Sequence, residues 1–589
     1  MKKIGRNKNR ISTKVITAAD TNQLMQSAIQ IHLSGQLHEA ELQYRQVIAL
    51  QPRHADALHY LGVIAYQKGQ CLEAEQLITL AIAENPTNAS YFSNLGVALR
   101  DQGKFQQAIT SHRRALELNP EYVEAYTNLG VALVDDDEID QGIECYQQAL
   151  ARNPDYIVAL DNLGVLWRLK GRFDESIVLH QRVLQLDPSY LVAYTNLAAS
   201  YIEIEQMELA TAQCQKVLEL NPSYVEAYVL LSQICDLLGY VDETLPFMTK
   251  AIQLDPHNKN MHNILFRCAL YYLRVGNLEE GWKQYENRWL KHPDPVLKRI
   301  YPFPYWQGES LADKTIFVFV EQGIGDQIMF SSMYAELVAL SKRAILGCAP
   351  KMIPLLRRSF PGADIIDIDD AAEVAALDQA GIDVQSAAGS LCMWLRPTVA
   401  SFPQRDAFLT PNPERVAYWK SRLAELGPGL CVGISWRSGN MKGNRPLYCT
   451  SIEQWQPIFS IPGIHFVNLQ YDECADELNY AREHFFVDIH AFSEVDLYND
   501  LDEAAALTSA LDLVISAPTT AAILSAALGV MTWEIMRGLE WQYFGTDKNC
   551  FYSNLQVFHK KIGDEWDATI NDVAVQLKQV VNAKLVAQQ

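Results

Sequence analysis

A helical repeat array followed by an α/β module of parallel strands is the fold this 589-residue sequence predicts. Three observations carry it. Seven prolines, Pro52, Pro86, Pro120, Pro154, Pro188, Pro222 and Pro256, stand 34 residues apart. A second comb keeps step with them: Leu61-Gly62, Leu95-Gly96, Leu129-Gly130, Leu163-Gly164, Leu197-Ala198 and Leu231-Ser232. Beyond about residue 290 the period stops, and short apolar runs, Gly-rich turns and more Trp take over. A 34-residue period belongs to stacked helical hairpins. A small residue lets one helix approach the next, and Pro ends the second helix.

Each repeat reads as two amphipathic helices. Within residues 125–154 the first offers Leu129, Val131 and Leu133, and the second Ile143, Tyr146 and Ala149. One hairpin cannot bury such a face, so neighbours must stack into a superhelix. Seven units cover 21–258, and 261–289 is a degenerate eighth, so the array is expected over 21–290 behind a flexible leader at 1–20. The pattern closely resembles the tetratricopeptide repeat family. The residue before the Leu-Gly pair is Asn94, Asn128, Asn162 and Asn196. Asn is a middling helix former, and its amide donates and accepts together, which matches the backbone of an extended peptide. A similar asparagine ladder holds substrate chains in the protein O-linked N-acetylglucosamine transferases, which implies acceptor binding here. The alternative is a consensus surface residue copied by duplication.

The net charge of −21 argues against a nucleic-acid or anionic-membrane partner, which needs a basic surface, and otherwise favours solubility. The eleven cysteines are scattered with no CxxC pair, so neither a disulfide framework nor a zinc site is suggested, and reduced thiols fit a cytosol. The N-terminal MKKIGRNKNRISTK is basic, but no apolar segment follows it as in a signal peptide. No stretch reaches the roughly eighteen apolar residues of a membrane span. The expected setting is cytoplasmic, with no nucleic-acid partner and no stable membrane insertion.

Residues 291–314, rich in Pro and aromatics, read as a linker. A strand at 316–320 then leads into EQGIGDQIMF, a Gly-X-Gly turn and a helix, the opening unit of a doubly wound domain. It is not a dinucleotide fingerprint, because GxGxxG is missing. A strand at 344–349, a helix at 350–360 and a strand at 364–368 follow. A second α/β part starts near 411, with strands at 431–436, 465–470 and 485–489 and helices at 452–459 and 502–509. Its last block has a strand, a turn at Ala517-Pro518 and a helix from Thr519, with Pro in the first helical turn. That helix start would lie at the C-terminal edge of the sheet, where ligands bind in open α/β folds, and its N–H groups suit a diphosphate.

Three stretches, EQGIGDQIMF (321–330), GISWRSGN (433–440) and DLVISAPTTAAILSAALG (512–529), resemble the heptosyltransferase-like glycosyltransferases of the GT-B fold. Bacteria often fuse these to tetratricopeptide arrays, and residues 281–290 and 543–558 are similar to the junction and tail of such fusions. The resemblance spans nearly the whole chain and rests on the order and spacing of the motifs. It implies two Rossmann-like domains, 315–410 and 411–589, the second binding a nucleotide sugar. It also implies an inverting transfer of the sugar to a hydroxyl of a protein acceptor held by the array.

That chemistry needs a general base for the acceptor and positive charge or oriented N–H donors for the departing diphosphate. In the related heptosyltransferases the Asp of the Gly-X-Gly-Asp turn is the presumed base, which maps onto Asp326. Glu321, in the same loop, is a second candidate, and Asp after Gly is also a common helix cap. Arg437 follows a buried strand and suits phosphate, with Lys442 and Arg445 in the same loop as further candidates. The plain alternative for all three is a solvated loop charge. Ser516, Thr519 and Thr520 supply hydroxyl and backbone donors. Gln470 and Tyr471 close a strand and are placed near the base or ribose. Gly545, Thr546 and Asp547 form a turn placed near the same cleft.

The commoner family pattern has Asp before the Thr and His a few residues on, where this chain has Pro518 and Ile523. An Asp/His role is therefore lost, which leaves donor specificity open. Asp367-Ile368-Asp369-Asp370 has the letters of a metal motif but follows a strand of the first domain, so metal-independent transfer is expected, with the nucleotide sugar as co-substrate and no cofactor. Two rivals remain. One is a partner-binding scaffold whose transferase half is degenerate. The other is a transferase acting on a lipid or saccharide, with the array used for assembly, including a homo-oligomer through the repeats.

Overall fold

The computed structural model describes residues 18–256, 261–290, 301–439, 449–538, 541–561 and 563–587. The chain divides into two compact units, Met1–Asn196 and Leu197–Gln589.

The first unit is built from helical hairpins. Ala18–Leu33 pairs with Leu37–Leu50, Ala55–Gln67 with Cys71–Glu84, Ala89–Arg100 with Phe105–Leu118, Val123–Asp135 with Ile139–Arg152, and Ile157–Leu169 with Phe173–Leu186. Each second helix stops just before its proline. After Glu84, for example, the Asn85 N–H still reaches the Ala81 carbonyl at 2.9 Å, and Pro86 has no N–H to continue. Within a hairpin the chain reverses through one left-handed residue: Gly35, Gly69, Gly103 and Gly171 at φ between +74° and +81°, and Asp137 at +65°.

The Leu-Gly comb sets how closely the two helices of a hairpin approach. A Cβ added to Gly62 would stand 2.6 Å from Ile78, on Gly96 2.5 Å from the His112 ring, on Gly130 2.6 Å from Tyr146, and on Gly164 2.7 Å from His180. The missing side chain is thus a slot, and the residue sixteen positions later fills it. His112 and His180 are wholly buried there, and burial pushes each imidazole pKa down to about 4.

The second unit begins with more repeat helices: Met207–Leu220, Val225–Leu238 with Val241–Leu254, and Met261–Arg274 with Leu278–Tyr285. The last pair falls within 261–289, the stretch the sequence suggests as a degenerate repeat. Two sheets follow. The first has β1 (Thr315–Phe319), β2 (Arg343–Cys348), β3 (Asp364–Asp367) and β4 (Val384–Ala387) in the order β3-β2-β1-β4. The second has β5 (Leu430–Ser435), β6 (Ile464–Asn468), β7 (Ile489–His490), β8 (Leu513–Ser516), β9 (Thr532–Arg537) and β10 (Leu555–Lys560) in the order β10-β9-β8-β5-β6-β7. Every pairing is parallel. All five residues of β1 are buried, as a parallel strand covered on both faces requires. The helix Trp566–Ala587 buries Ile570, Val573 and Leu577 in one cluster with Val432 and Ile434 of β5.

Three expectations change. Residues 301–314 are not a linker: Tyr305 bridges Gln385 of β4, the Trp306 N–H bonds the Gln385 carbonyl at 2.8 Å, and Tyr301, Trp306 and Leu311 are buried. The aromatics that suggested a mobile tether are what hold this stretch to the sheet edge. The strand expected at 485–489 shrinks to β7, because the helix Ala475–Phe485 takes Phe485 and ends with Phe486 at φ +57°. Pro518 precedes the helix Thr520–Ala527 rather than opening its first turn, and Thr519 is the N-cap residue.

Glu205 occupies the left-handed turn between Leu191–Glu203 and Met207–Leu220, where other repeats have Gly, at φ +60°. Its carboxylate meets the Arg537 guanidinium at 2.9 Å, the Lys560 ammonium at 2.9 Å and the Gly563 N–H. Arg537 and Lys560 are register partners at the ends of β9 and β10, both buried. Two buried cations side by side need an anion between them, and Glu205 supplies it while ordering a repeat against the sheet. Burial raises the Glu205 pKa, but the bonds from Lys560 and Gly563 and the charge of Arg537 outweigh it and hold it below the ordinary value.

Glu205→Gly removes a backbone cost of about 1–2 kcal/mol but takes the shared carboxylate away from two buried cations, so urea denaturation is expected to show a net loss of about 1–3 kcal/mol. Exposed Asp137→Gly, with the same backbone relief, should be neutral or stabilising; equal effects at both sites would remove the ion-pair account. Because its folded pKa is depressed, the Glu205 contribution is present at neutral pH and is lost as pH falls through the carboxylate range. The buried imidazoles act over a different window. Their folded pKa lies near 4 and their unfolded value near 6.5, so stability is full above about pH 6.5 and falls as pH drops from there toward 4. His112→Tyr with His180→Tyr, using the residue that fills the slot at Tyr146, should flatten that fall in a pH series of thermal melts.

Candidate functional site

β1 ends at Phe319, and after a short loop Gly323 becomes the N-cap of the helix Ile324–Ser331. Asp326 is the third residue of that helix. Its pKa is raised, because burial outweighs the lowering influence of the Gly323 backbone. β8 ends at Ser516 and turns through Pro518 into the helix Thr520–Ala527. The starts of the two helices meet: a Cβ on Gly325 would lie 4.0 Å from the Thr520 Oγ1. Between them opens a cavity of about 310 Å³, whose lining includes Asp326, Ser438, Tyr471, Thr519, Thr520 and Glu534.

The structure gathers Asp326, Tyr471, Thr519 and Thr520 at this cavity. The other expected residues are elsewhere or otherwise engaged. Glu321 is buried 3.1 Å from the Arg288 guanidinium and accepts from the Gly389 N–H at 3.3 Å. Arg288, itself stacked over Tyr285 and Trp289, needs that carboxylate as its counter-charge. Arg437 is engaged within the protein: its guanidinium donates to both Glu477 oxygens at 2.7 and 2.6 Å, to the Glu473 carbonyl at 2.9 Å, and to Asp472. It fixes the turn after β6 rather than pointing at a ligand. Gln470 is buried in the same turn, taking the Ser435 hydroxyl at 3.1 Å and donating to the Arg437 carbonyl at 2.9 Å. The Tyr471 hydroxyl accepts from the Gly439 N–H at 3.1 Å, closing one wall of the cavity. Ser516 donates to the Ala517 carbonyl at 2.7 Å and lies 3.1 Å from the Thr519 hydroxyl, so it shapes the turn. Lys442 and Arg445 lie outside the described residues.

Gly545, Thr546 and Asp547 do not line the cavity. Gly545 sits at φ +74° against the Val275–Gly276 backbone, and Thr546 bonds within its own turn. Asp367 ends β3 and Asp370 caps the helix Ala371–Ala376. Among the described residues no group of three or more His, Cys, Asp or Glu is arranged to hold a metal ion, and no helix is long and apolar enough to cross a membrane.

The asparagine column is tied inward. The Asn94 amide meets His59 Nε2 at 2.8 Å, Asn128 donates to the Ser93 hydroxyl at 3.4 Å, and Asn196 to the Asp161 carboxyl at 3.0 Å. Each partner lies 35 residues back, so these amides stitch one repeat to the previous one. Asn162, in the same column, is half-buried. The sequence reading missed Glu534, a buried carboxylate in the middle of β9, and Ser438. Glu534 carried a signal, as the one charge in the run VMTWEIM.

Tetratricopeptide repeat models match residues 34–89, 96–137, 123–156, 157–186, 191–224 and 225–258, and over these residues the chain consists of such repeats. The protein FlbA of Caulobacter vibrioides is 32% identical over 352 residues, 58% of this chain and 59% of that protein. The chain thus spans less than two thirds of that relative's length. Among solved structures, MamA is 26% identical over 27% of this chain and 92% of its own, with a TM-score of 0.25. A tetratricopeptide repeat protein from Parabacteroides merdae is 19% identical over 41% and 96%, with a TM-score of 0.36. Likenesses at such scores carry no weight for the fold.

Since Arg437 neutralises two carboxylates, Arg437→Ala is expected to lower stability by about 1–3 kcal/mol, and Arg437→Lys should not rescue it, because one ammonium cannot replace the fork. Chemical denaturation checks this. Unchanged stability in the Ala variant would show that the ion pairs contribute nothing and return Arg437 to the list of ligand-binding candidates.

Proposed function

We propose that the second unit is a glycosyltransferase of the GT-B type, moving a sugar from a nucleotide-sugar donor to a hydroxyl of a protein acceptor that the repeats hold, in the cytosol. The observation that carries this reading is the 310 Å³ cavity in which a half-buried carboxylate, Asp326, faces the first turn of the helix Thr520–Ala527. The acceptor oxygen attacks the anomeric carbon from the Asp326 side and its proton passes to the carboxylate. The bond from that carbon to the diphosphate oxygen breaks, and the diphosphate leaves with the electron pair. Attack and departure on opposite faces invert the centre. Burial raises the basicity of Asp326, which suits a general base. The N–H groups and hydroxyls of Thr519 and Thr520 stand where the departing charge develops, so the reading needs no metal. A neighbouring cavity of about 530 Å³, lined by Tyr471 as well and by Phe492, has room for a nucleoside.

A second reading is a partner-binding protein without transfer. The observation in its favour is that Arg437, the expected phosphate ligand, is engaged by Glu477 and Asp472. A panel of nucleotide sugars, read by donor hydrolysis and by intact mass of acceptor proteins, separates the two. Asp326→Asn is expected to lower turnover by ~10²–10⁴ while donor affinity stays nearly constant. Wild-type protein that neither binds nor consumes any donor would leave the binding reading standing.

A further inference from the structure

We propose that a small cavity beside the transfer site binds an acidic side chain, aspartate or glutamate, of a polypeptide; that this polypeptide is the acceptor rests on the transfer reading above. The cavity, of about 150 Å³, lies where the last repeat helices meet the turn Trp541–Tyr543, and its lining includes Asp236, Arg267, Tyr271, Arg274 and Trp541. Arg267 and Arg274 stand seven positions apart on the helix Met261–Arg274, so two turns bring both onto one face. Asp236 comes from Val225–Leu238 and meets the Arg274 guanidinium at 2.5 Å. Burial raises the Asp236 pKa, and the positive charges of Arg274 and Arg267 both pull against that, so one carboxylate lies within reach of two guanidinium groups.

Both arginines have partners within the protein, Arg274 in Asp236 and Arg267 in the Gln233 Oε1 at 3.3 Å. The balance of charge, rather than a missing bond, points to an anion. Among the described residues lining the cavity two are cationic and one is anionic, in a chain with 70 acidic and 49 basic residues. That local excess of positive charge runs against the composition. Tyr271 is buried, and Trp541 is held edge-on by Trp282 at 5.8 Å, so two rings wall the cavity and lower the screening of its charges. The flat fork of a guanidinium matches the two oxygens of a carboxylate. Size and position narrow the ligand further. A volume of about 150 Å³ takes one carboxylate side chain, whereas a nucleoside has the cavity of about 530 Å³. Trp541 and Gln542 are consecutive residues; Trp541 lines this cavity, and Gln542 lines the one that Asp326 also lines. An extended polypeptide advances about 3.3 Å per residue, so a chain that places its acidic side chain here reaches Asp326 with a hydroxyl only a few residues away.

The test uses short fluorescein-labelled peptides with one Thr in an Ala-Gly background and a single Glu, Gln or Lys placed in turn at each flanking position. Binding to the full chain is read by fluorescence polarisation with no donor present. At one or more positions the Glu peptide is expected to bind wild type about 10-fold tighter than its Gln counterpart, with the Lys peptide weakest. Arg267→Gln is expected to erase that preference, and Asp236→Asn, which takes away the competing carboxylate, to enlarge it. A purely structural cluster would not move the two variants in opposite directions. Thermal melts show whether Arg267→Gln is folded; if it is not, the response of Asp236→Asn decides. The assignment is overturned if wild type binds the three peptides alike or binds none, if folded Arg267→Gln keeps the preference, or if Asp236→Asn does not enlarge it. A Glu preference in a protein that consumes no nucleotide sugar keeps the acidic-peptide site and removes only its acceptor role. Donor consumption without a Glu preference keeps the transfer reading and removes the site.

Discussion

Parallel pairing governs where everything else in the second unit can lie. A parallel strand cannot be followed by a tight hairpin, so each must return through a crossover before the next begins. The carboxyl ends of the strands therefore share an edge, and the loops leaving it collect there. The loop after β1 delivers Asp326, the one after β5 Ser438, the one after β6 Tyr471, and the one after β8 Thr519 and Thr520. These residues are up to 194 positions apart in sequence, from Asp326 to Thr520. No local preference brings them together; the direction of the strands does.

Charge placement is the second organising constraint. The chain has 70 acidic and 49 basic residues, so anions outnumber cations. Where an arginine goes inside, it takes a carboxylate with it. Arg288 holds Glu321 and Glu286, Arg396 holds Glu336 at 2.6 Å, and Arg437 holds Glu477. Each pair orders a loop or a helix end, and each removes a cation that sequence reasoning would offer to a ligand. Two carboxylates, Asp326 and Glu534, line the cavity and make it acidic.

What could be read from the sequence was what repeats or what is locally apolar. The Pro and Gly combs recur seven and four times at fixed spacing, and β1 is an unbroken apolar run, so both were visible. β4, with the sequence VQSA, was not. It is buried because Gln385 bonds the Tyr301 carbonyl at 3.0 Å and that of Phe303, partners more than eighty residues away. The fate of Arg437 was hidden for the same reason, since Asp472 and Glu477 lie 35 and 40 residues on. The asparagine column was legible as a column, yet its meaning lay in the residue just before the corresponding position of the preceding repeat, His59, Ser93 and Asp161. A period of 34 tells that residues are equivalent; only packing tells which way they face.

The slot between Gly and the residue sixteen positions later lies inside a single hairpin. A hairpin of the first unit is therefore complete in its own closest contact, and gene duplication can copy it whole without disturbing that fit. The amide stitches to the previous repeat recur at the same interval, so a copied unit arrives with its connector. The repeat that contains Glu205 has lost this interchangeability. Its turn matches Arg537 and Lys560 rather than a neighbouring repeat, so a copy elsewhere would carry a left-handed Glu with nothing to neutralise. The array can lengthen or shorten on the amino-terminal side of that repeat over evolutionary time, while the repeat itself is fixed in place by the sheet it serves.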